Sequence, residues 1–212
     1  MDQPGASRTN APPSPHRPDV LLFDLGGVLV ENVGFDRLNA LLPAPLPVEE
    51  LKTRWLTSTA VRAFETGACS VDRFAATLVE EWEIAVAPHE FIAAFASWPK
   101  GFYPGADELL SRLRKRYTLA CLSNSNPIHW ERFAGFHEHF DIRLSSHLLG
   151  EVKPDKACFE RALQECQARP SQVAFFDDSL VNVTSARTLG IRAFHVNGLE
   201  ELGVALDAEG WL

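Results

Sequence analysis

Five strand-length runs of mainly apolar residues recur along the 212-residue chain, and amphipathic stretches separate several of them. Apolar runs that do not alternate with polar residues are typical of strands buried on both faces of a sheet. Because strands that alternate with helices form βαβ units, the pattern predicts an α/β fold with a doubly wound, Rossmann-like and mostly parallel sheet. The runs are residues 20–23, 118–122, 142–145, 173–176 and 193–196, and the helices are residues 106–116, 156–167 and 180–189.

The alternation stops between Glu31 and Tyr103, where the chain has helical periodicity but no convincing strand. This segment is interpreted as a small helical cap inserted after the first strand. Three of the five tryptophans lie in it, and packing between helices is a commoner role for them than stacking on a ligand. The predicted organisation is a flexible tail over residues 1–18, a core domain over residues 19–30 and 104–212, and a cap over residues 31–103.

Composition and charge limit the partners of the chain. A net charge of −8 disfavours a nucleic-acid partner, because phosphate backbones are bound mainly through Lys and Arg. No apolar run approaches the roughly 20 residues that span a bilayer, and residues 1–18 lack the apolar stretch of a secretory signal. We therefore expect no membrane partner and a cytoplasmic location, with the four cysteines as reduced thiols. The sequence leaves the oligomeric state open.

Polar residues stand where several of the predicted strands end, and in open α/β sheets ligands bind outside the carboxyl ends of the strands. Asp24 ends the first run, and the glycines Gly26 and Gly27 allow the backbone to approach a ligand closely. A carboxylate at such a place can attack phosphorus and form an acyl phosphate that water later hydrolyses. Taken alone, the same residues are also typical of an aspartate that begins a turn.

Ser123 and Asn124 follow the second run, and Lys153 lies on a loop ahead of a predicted helix. The Ser123 hydroxyl and the backbone N–H that follows it can hold a phosphoryl oxygen. Lys153 can neutralise the charge of a phosphate and of the nucleophile. In isolation, the first two residues also fit a polar turn, and a single lysine is usually a solvated surface charge.

Asp177 and Asp178 come directly after four apolar residues, and Asn182 follows one helical turn later. Two adjacent carboxylates at a buried strand end repel each other and are poorly solvated unless a cation or a basic group compensates them. Oxygen ligands without Cys or His indicate a hard ion, and Mg²⁺ is the expected one beside a phosphate. The alternative role for one of the two residues is a helix N-cap.

Taken in order, the segments FDLGGVLV, LSNSN, VKPD and FFDDSLVNV resemble the four motifs of the haloacid dehalogenase-like (HAD) superfamily. The resemblance runs from Val20 to the C-terminus. Among HAD proteins the segments look most like the N-terminal phosphatase branch of epoxide hydrolases and the bacterial sugar-phosphate phosphatases. The resemblance implies a doubly wound core in which Asp24 is the nucleophile.

The same resemblance implies how the metal and the phosphate are held. The implied Mg²⁺ ligands are Asp24, the backbone carbonyl of Gly26 and Asp178, with Asp177 nearby or acting through water. Ser123 and Lys153 would fix the phosphate for in-line attack. The full set of implied phosphate-binding residues is Gly27, Ser123, Asn124 and Lys153.

One departure from the family pattern concerns Gly26. Most family phosphatases have an aspartate at this place, which protonates the leaving oxygen and later activates water. General acid–base assistance is worth roughly 10²–10⁴-fold, so its loss should weaken the turnover of poorly activated esters. Glu31 or Asp36, at the start of the cap, could supply a substitute acid.

Three functions are compatible with these features. The leading hypothesis is a Mg²⁺-dependent phosphomonoester hydrolase that acts on a small phosphorylated metabolite through an aspartyl-phosphate intermediate. The alternative is a noncatalytic or weakly active phosphometabolite-binding protein, because Gly26 removes the usual acid. A metal-free haloacid dehalogenase ranks third, since it has no use for the pair Asp177 and Asp178.

Overall fold

The computed structural model describes residues 17–132 and 135–212. Its strands are β1 (Val20–Phe23), β2 (Val30–Asn32), β3 (Pro99–Phe102), β4 (Thr118–Ser123), β5 (Ile142–Ser145), β6 (Val173–Asp177) and β7 (Arg192–His195). Five of them form one parallel sheet in the order β5–β4–β1–β6–β7. This order confirms the predicted parallel, Rossmann-like sheet, and each of its strands lies within one residue of the predicted bounds.

Burial on both faces of the sheet explains the apolar runs, since every residue of β1 and β6 is buried. Alternate side chains of β1 enter two separate hydrophobic clusters. Leu21 and Phe23 belong to one cluster, and Val20 and Leu22 belong to the other. Phe23 also stacks on Phe176 of β6, with 5.2 Å between the ring centroids. The residues that follow these two strands are therefore anchored by the most buried part of the protein.

The described part of the chain forms eleven α-helices. They are α1 (Gly34–Asn39), α2 (Val48–Thr57), α3 (Thr59–Glu65), α4 (Val71–Glu81), α5 (Pro88–Phe95), α6 (Ala106–Leu113), α7 (Pro127–Arg132), α8 (Ser146–Leu149), α9 (Lys156–Glu165), α10 (Leu180–Thr188) and α11 (Gly198–Ala208), with 3₁₀ turns at Phe136–His139 and Pro170–Gln172. Helices α6 and α11 pack on one face of the sheet, and α9 and α10 pack on the other. The three helices predicted outside the cap are confirmed as α6, α9 and α10, each one to three residues shorter than predicted.

Helices α1 to α5 surround an aromatic core of their own. Phe64 and Phe74 stack with 4.2 Å between their ring centroids, and Trp82 and Trp98 are buried in the same cluster. Trp55 packs against it from a half-buried position. The prediction that these tryptophans join helices together is confirmed.

The expectation that residues 31–103 contain no strand is wrong at both ends of the segment. Strand β2 pairs with β3 in antiparallel fashion, with Val30 opposite Phe102. The periodicity missed these strands because they are only three and four residues long, and because Pro99 and Gly101 are residue types depleted in strands. The pair leads the chain into and out of the helical segment. The predicted boundaries between core and cap stay a prediction.

Most of the tail predicted over residues 1–18 lies outside the described part of the chain, which begins at Arg17. Among the described residues, no helix combines the length and the apolar character needed to cross a membrane. The four cysteines are free thiols, and Cys121, Cys158 and Cys166 are buried in the core around the sheet.

Candidate active site

Three carboxylates meet at the carboxyl ends of β1 and β6. Asp24 follows β1, Asp177 ends β6, and Asp178 is the next residue. The two strands are adjacent and parallel, with Phe23 opposite Phe176, so their ends lie side by side. One oxygen from each carboxylate lies within 4.8 Å of the others. The structure thus brings together acidic residues from opposite ends of the sequence.

The Lys153 ammonium bridges two of these carboxylates. Its Nζ lies 3.1 Å from Asp24 Oδ1 and 2.7 Å from Asp177 Oδ2, and the side chain is only 1% exposed. Asn124 holds the lysine loop in place, because its side-chain amide donates to the Lys153 carbonyl at 2.8 Å and accepts from the Lys153 N–H at 2.9 Å. The side chain of Asn124 therefore positions the lysine, and the phosphate contact predicted for its backbone N–H stays a prediction.

Both oxygens of Asp177 already accept hydrogen bonds. The Asn182 amide donates to them at 2.9 and 3.1 Å, and the Ser179 N–H donates to Oδ1 at 2.8 Å. Together with Lys153, these donors surround a side chain that is fully buried. Asp177 is thus placed to orient Lys153. The sequence showed only that Asn182 follows the pair Asp177 and Asp178 by one helical turn. The structure shows that its amide binds the Asp177 carboxylate.

Gly27 makes room for Asp178. A Cβ atom at Gly27 would lie 2.6 Å from Asp178 Oδ2, and the backbone φ of 77° lies in the left-handed region that favours glycine. The N–H of Gly27 donates to Val30 O at 2.9 Å, and its carbonyl accepts from the Gly198 N–H at 2.7 Å. The visible role of Gly27 is therefore to admit the Asp178 carboxylate, and its predicted phosphate contact stays a prediction.

The electrostatics of this cluster are dominated by burial. Burial raises the pKa of Asp24 to about 7; the charge of Lys153 opposes this rise, and Asp177 and Asp178 add to it. Burial and the charge of Asp177 likewise raise the pKa of Asp178. Burial works to lower the pKa of Lys153, but the charges of Asp177 and Asp24 outweigh it and hold this pKa above its usual range. One ammonium thus faces three carboxylates.

The residues present fit a hard divalent cation. The carboxylates of Asp24 and Asp178 supply oxygen donors, and Gly26, whose backbone carbonyl is the third predicted ligand, follows Asp24 by two residues. Mg²⁺ prefers such oxygen ligands, whereas Asp177 is engaged by N–H donors. A bound cation would also offset the excess negative charge of the cluster.

Ser123 ends β4, the neighbour of β1 on the side away from β6. Strands β4 and β1 are parallel, with Cys121 opposite Phe23, so Ser123 lies at the same edge of the sheet as Asp24, and its side chain is buried. Ser125 follows two residues later: its N–H donates to Ser146 Oγ at 2.9 Å, and its own hydroxyl is buried with no hydrogen-bond partner among the described residues. The loop after β4 is therefore tied to α8, which stiffens the support of Ser123.

The surroundings of Gly26 show what occupies the place of the usual acid. A Cβ atom at Gly26 would lie 3.4 Å from the Asn32 amide nitrogen. Glu31 and Asp178 both act on the Tyr103 phenol, whose pKa is raised first by burial and then by these two charges. Glu31 is an exposed residue of β2, and Asp36 is an exposed residue of α1.

Glu65 is a residue that sequence reasoning missed. It ends α3, its side chain is buried, and its Oε1 accepts from Trp55 Nε1 at 3.3 Å. Burial raises the pKa of Glu65 to about 7; the Trp55 hydrogen bond and the charge of Lys153 work against this rise. A signal was available, because positions 61, 64 and 65 share one helix face, on which Val61 and Phe64 are apolar.

Comparison with known proteins places this geometry in a family. Residues 18–190 match the haloacid dehalogenase-like hydrolase family. The chain is 26% identical over 206 residues to D-ribitol-5-phosphate phosphatase of Bacteroides thetaiotaomicron, covering 89% of this chain and 98% of the relative. It is 27% identical over 185 residues to phosphoglycolate phosphatase of Nitrosococcus oceani, covering 81% and 80% of the two chains.

A solved structure has the same fold. It is a HAD family enzyme of Bacteroides thetaiotaomicron in complex with magnesium and inorganic phosphate, with a TM-score of 0.66 and 23% identity, covering 84% of this chain and 93% of that one. The match to a ribitol phosphate phosphatase is consistent with the predicted sugar-phosphate phosphatase branch. Because the family match spans most of the sequence, the chain belongs to the haloacid dehalogenase-like hydrolases.

Proposed function

We propose that this hydrolase is a Mg²⁺-dependent phosphomonoesterase that acts on a small phosphorylated metabolite, with Asp24 as its nucleophile. The observation that carries the proposal is the Lys153 ammonium, 3.1 Å from Asp24 and 2.7 Å from Asp177, beside the Asp178 carboxylate. Two relatives, a D-ribitol-5-phosphate phosphatase and a phosphoglycolate phosphatase, support a small phosphate ester as the substrate. The net charge of −8 supports a small substrate over a nucleic acid.

Asp24 would carry the covalent chemistry. One carboxylate oxygen forms a bond to phosphorus while the bond from phosphorus to the leaving oxygen breaks, and the leaving oxygen takes up a proton. Water then attacks the aspartyl phosphate, which releases inorganic phosphate and restores the Asp24 carboxylate. The position of Asp24 at the mouth of the sheet, 13% exposed, supports this role because an incoming ester can reach it.

Lys153 and the loop after β4 would hold the phosphate. The ammonium neutralises charge on the nucleophile and the phosphate at once, because it already touches Asp24. The Ser123 hydroxyl and the Asn124 backbone N–H would donate to phosphoryl oxygens, and Gly27 would line the approach. Asp177 and Asn182 would keep the lysine in position through their shared hydrogen bonds.

The proposed magnesium ligands are Asp24, Asp178 and the backbone carbonyl of Gly26, with Asp177 nearby. When bound, Mg²⁺ lowers the repulsion between an anionic ester and the carboxylates. Burial raises the pKa of Asp24 to about 7, and a protonated carboxyl group is a poor nucleophile. A nearby cation would favour the ionised form of Asp24, which supports the proposed metal.

Phosphate release from a panel of phosphorylated metabolites tests the proposal, with Mg²⁺ and with a chelator. We expect Asp24→Asn to abolish release, and Asp207→Asn, the same change on the exposed face of α11, to leave it unchanged. Release that survives in Asp24→Asn would overturn the nucleophile. Release that is unaffected by the chelator would overturn the metal.

The glycine at position 26 is also compatible with a second function, that of a phosphometabolite-binding protein with little turnover. The observation that favours it is the missing carboxyl group at this position, where the nearest side chain is the amide of Asn32. Calorimetry separates the two functions: tight binding of a phosphate ester without phosphate release supports the binding protein, and release with turnover supports the enzyme.

A further inference from the structure

Glu65 is a carboxyl group enclosed among the aromatic residues of the cap. Its side chain is 9% exposed, and its neighbours along α3, Val61 and Phe64, are 2% and 1% exposed. Burying an ionised carboxylate among apolar groups is unfavourable, so such a residue is expected to be neutral or to have a specific partner. Trp55 supplies one hydrogen bond, which a glutamine would accept equally well.

The end of α3 lies over the loop that carries Lys153. Arg62 forms an ion pair with Asp155, two residues beyond the lysine. Just after the helix, a Cβ atom at Gly67 would lie 2.7 Å from the His147 carbonyl of α8. Glu65 lies between Arg62 and Gly67, so the end of α3 that carries it packs against the segment of the phosphate-binding lysine. The charge of Lys153 works to lower the pKa of the Glu65 carboxyl group, which agrees with this packing.

The protonation state of Glu65 suits a proton donor. Burial raises the pKa of Glu65 to about 7, against the opposing effects of Trp55 and Lys153. Glu65 is therefore protonated in a large fraction of the protein molecules at neutral pH. An acid of this strength is near the optimum for transfer at neutral pH. Glu31 and Asp36, which the sequence suggests as substitutes, are both exposed to water.

We propose that Glu65 contacts the leaving group of the substrate and gives its proton to the leaving oxygen, the task for which Gly26 has no side chain. This inference rests on the proposed phosphatase function. The proton moves from the Glu65 carboxyl group to the leaving oxygen as the bond from phosphorus to that oxygen breaks and the bond to Asp24 forms. The Glu65 carboxylate then accepts a proton from the water that attacks the aspartyl phosphate, which restores both side chains.

Leaving groups of different basicity test this role, because a good leaving group departs without a proton and a poor one does not. The probes are p-nitrophenyl phosphate, phenyl phosphate and glycerol 3-phosphate, each with saturating Mg²⁺. For Glu65→Gln we expect kcat/KM for glycerol 3-phosphate to fall by about 10²-fold or more, and kcat/KM for p-nitrophenyl phosphate to fall by less than about tenfold. An equal loss on all three esters, or no loss, would overturn the proposal.

Two control variants separate proton donation from packing. Glu80→Gln makes the same change at an exposed position of the neighbouring helix α4 and should leave all three rates unchanged. Trp55→Phe removes the N–H that Glu65 accepts. If Glu65 served only to hold Trp55, then Trp55→Phe would reproduce the loss and Glu65→Gln would not, which would refute the proposed role.

The unmodified protein provides a test that does not depend on the folding of any variant. With a proton donor in place, kcat/KM should depend only weakly on the basicity of the leaving group across the three esters. A steep fall from p-nitrophenyl phosphate to glycerol 3-phosphate in the unmodified protein would overturn the role of Glu65. No phosphate release from any of the three esters by the unmodified protein would instead refute the phosphatase proposal, so the two failures are distinguishable.

Discussion

The Lys153 ammonium lies 2.7 Å from Asp177 Oδ2, and both side chains are almost completely buried. The same ammonium lies 3.1 Å from Asp24 Oδ1, so a single cation links the proposed nucleophile to the second of the two central strands. Removing one partner of a buried pair leaves an uncompensated charge in a place that water does not reach. The stability of the protein and the geometry of the site therefore depend on the same contact.

Asp177→Asn should destabilise the protein by about 1.5–3 kcal/mol, because Lys153 loses a charged hydrogen-bond partner inside the core but keeps Asp24 at 3.1 Å. Urea unfolding at neutral pH measures the loss. The control is Glu165→Gln, which breaks the exposed ion pair with Arg161 on α9 and should cost less than about 0.5 kcal/mol. A loss for Asp177→Asn as small as that of the control would show that the buried pair contributes little.

Gly27→Ala should impair metal binding and activity together, because the new Cβ would lie 2.6 Å from Asp178 Oδ2. Gly210→Ala is a matched control: the φ of 68° at Gly210 is similar to the 77° of Gly27, but no atom of residues 17–132 or 135–212 outside its immediate chain neighbours lies within 4 Å of the new Cβ. Both changes should cost about 1–2 kcal/mol of backbone strain, measured by thermal unfolding. Only Gly27→Ala should weaken Mg²⁺ binding in calorimetry, and equal Mg²⁺ affinities would contradict the role assigned to Gly27.

The stability of the protein should depend on pH through Glu65. The pKa of Glu65 is about 7 in the folded state and about 4.5 in the unfolded chain, so its contribution to stability is complete below pH 4.5 and is lost as the pH rises through 7. Glu65→Gln cannot ionise and escapes this loss, which amounts to up to about 3 kcal/mol. In urea unfolding between pH 5 and pH 8, the free energy of unfolding of the variant should therefore rise relative to that of the unmodified protein as the pH rises. A constant difference would contradict the raised pKa, and Glu80→Gln serves as the exposed control.

Gly26→Asp should restore hydrolysis of poorly activated esters to the Glu65→Gln variant, because it places a carboxyl group where family phosphatases carry one. The new Cβ would lie 3.4 Å from the Asn32 amide, a contact that a small shift of that side chain relieves. We expect kcat/KM for glycerol 3-phosphate to recover by about tenfold or more. Gly26→Asn adds nearly the same volume without an acid, and recovery with that variant as well would show that proton donation is not the cause.

Local sequence patterns were sufficient to predict the sheet and the position of its polar edge. The runs that became β1, β4 and β6 are long enough, and apolar enough, to indicate strands buried on both faces. Parallel strands end at one edge, so Asp24 and Asp178 could be assigned to one site from their order alone. The strands β2 and β3 escaped prediction because pairing between segments about seventy residues apart creates them, with little local signal.

The sequence by itself determined the class of fold and which chemical groups stand at the strand ends, because periodicity and chain order are local properties. Only the tertiary structure decided that Asp177 contacts Lys153, that Asn124 holds the lysine loop, and that the end of α3, with the buried Glu65, packs against the segment that follows Lys153. These relationships depend on distances between separate loops and on the burial that raises a pKa. Neither quantity exists until the chain has folded.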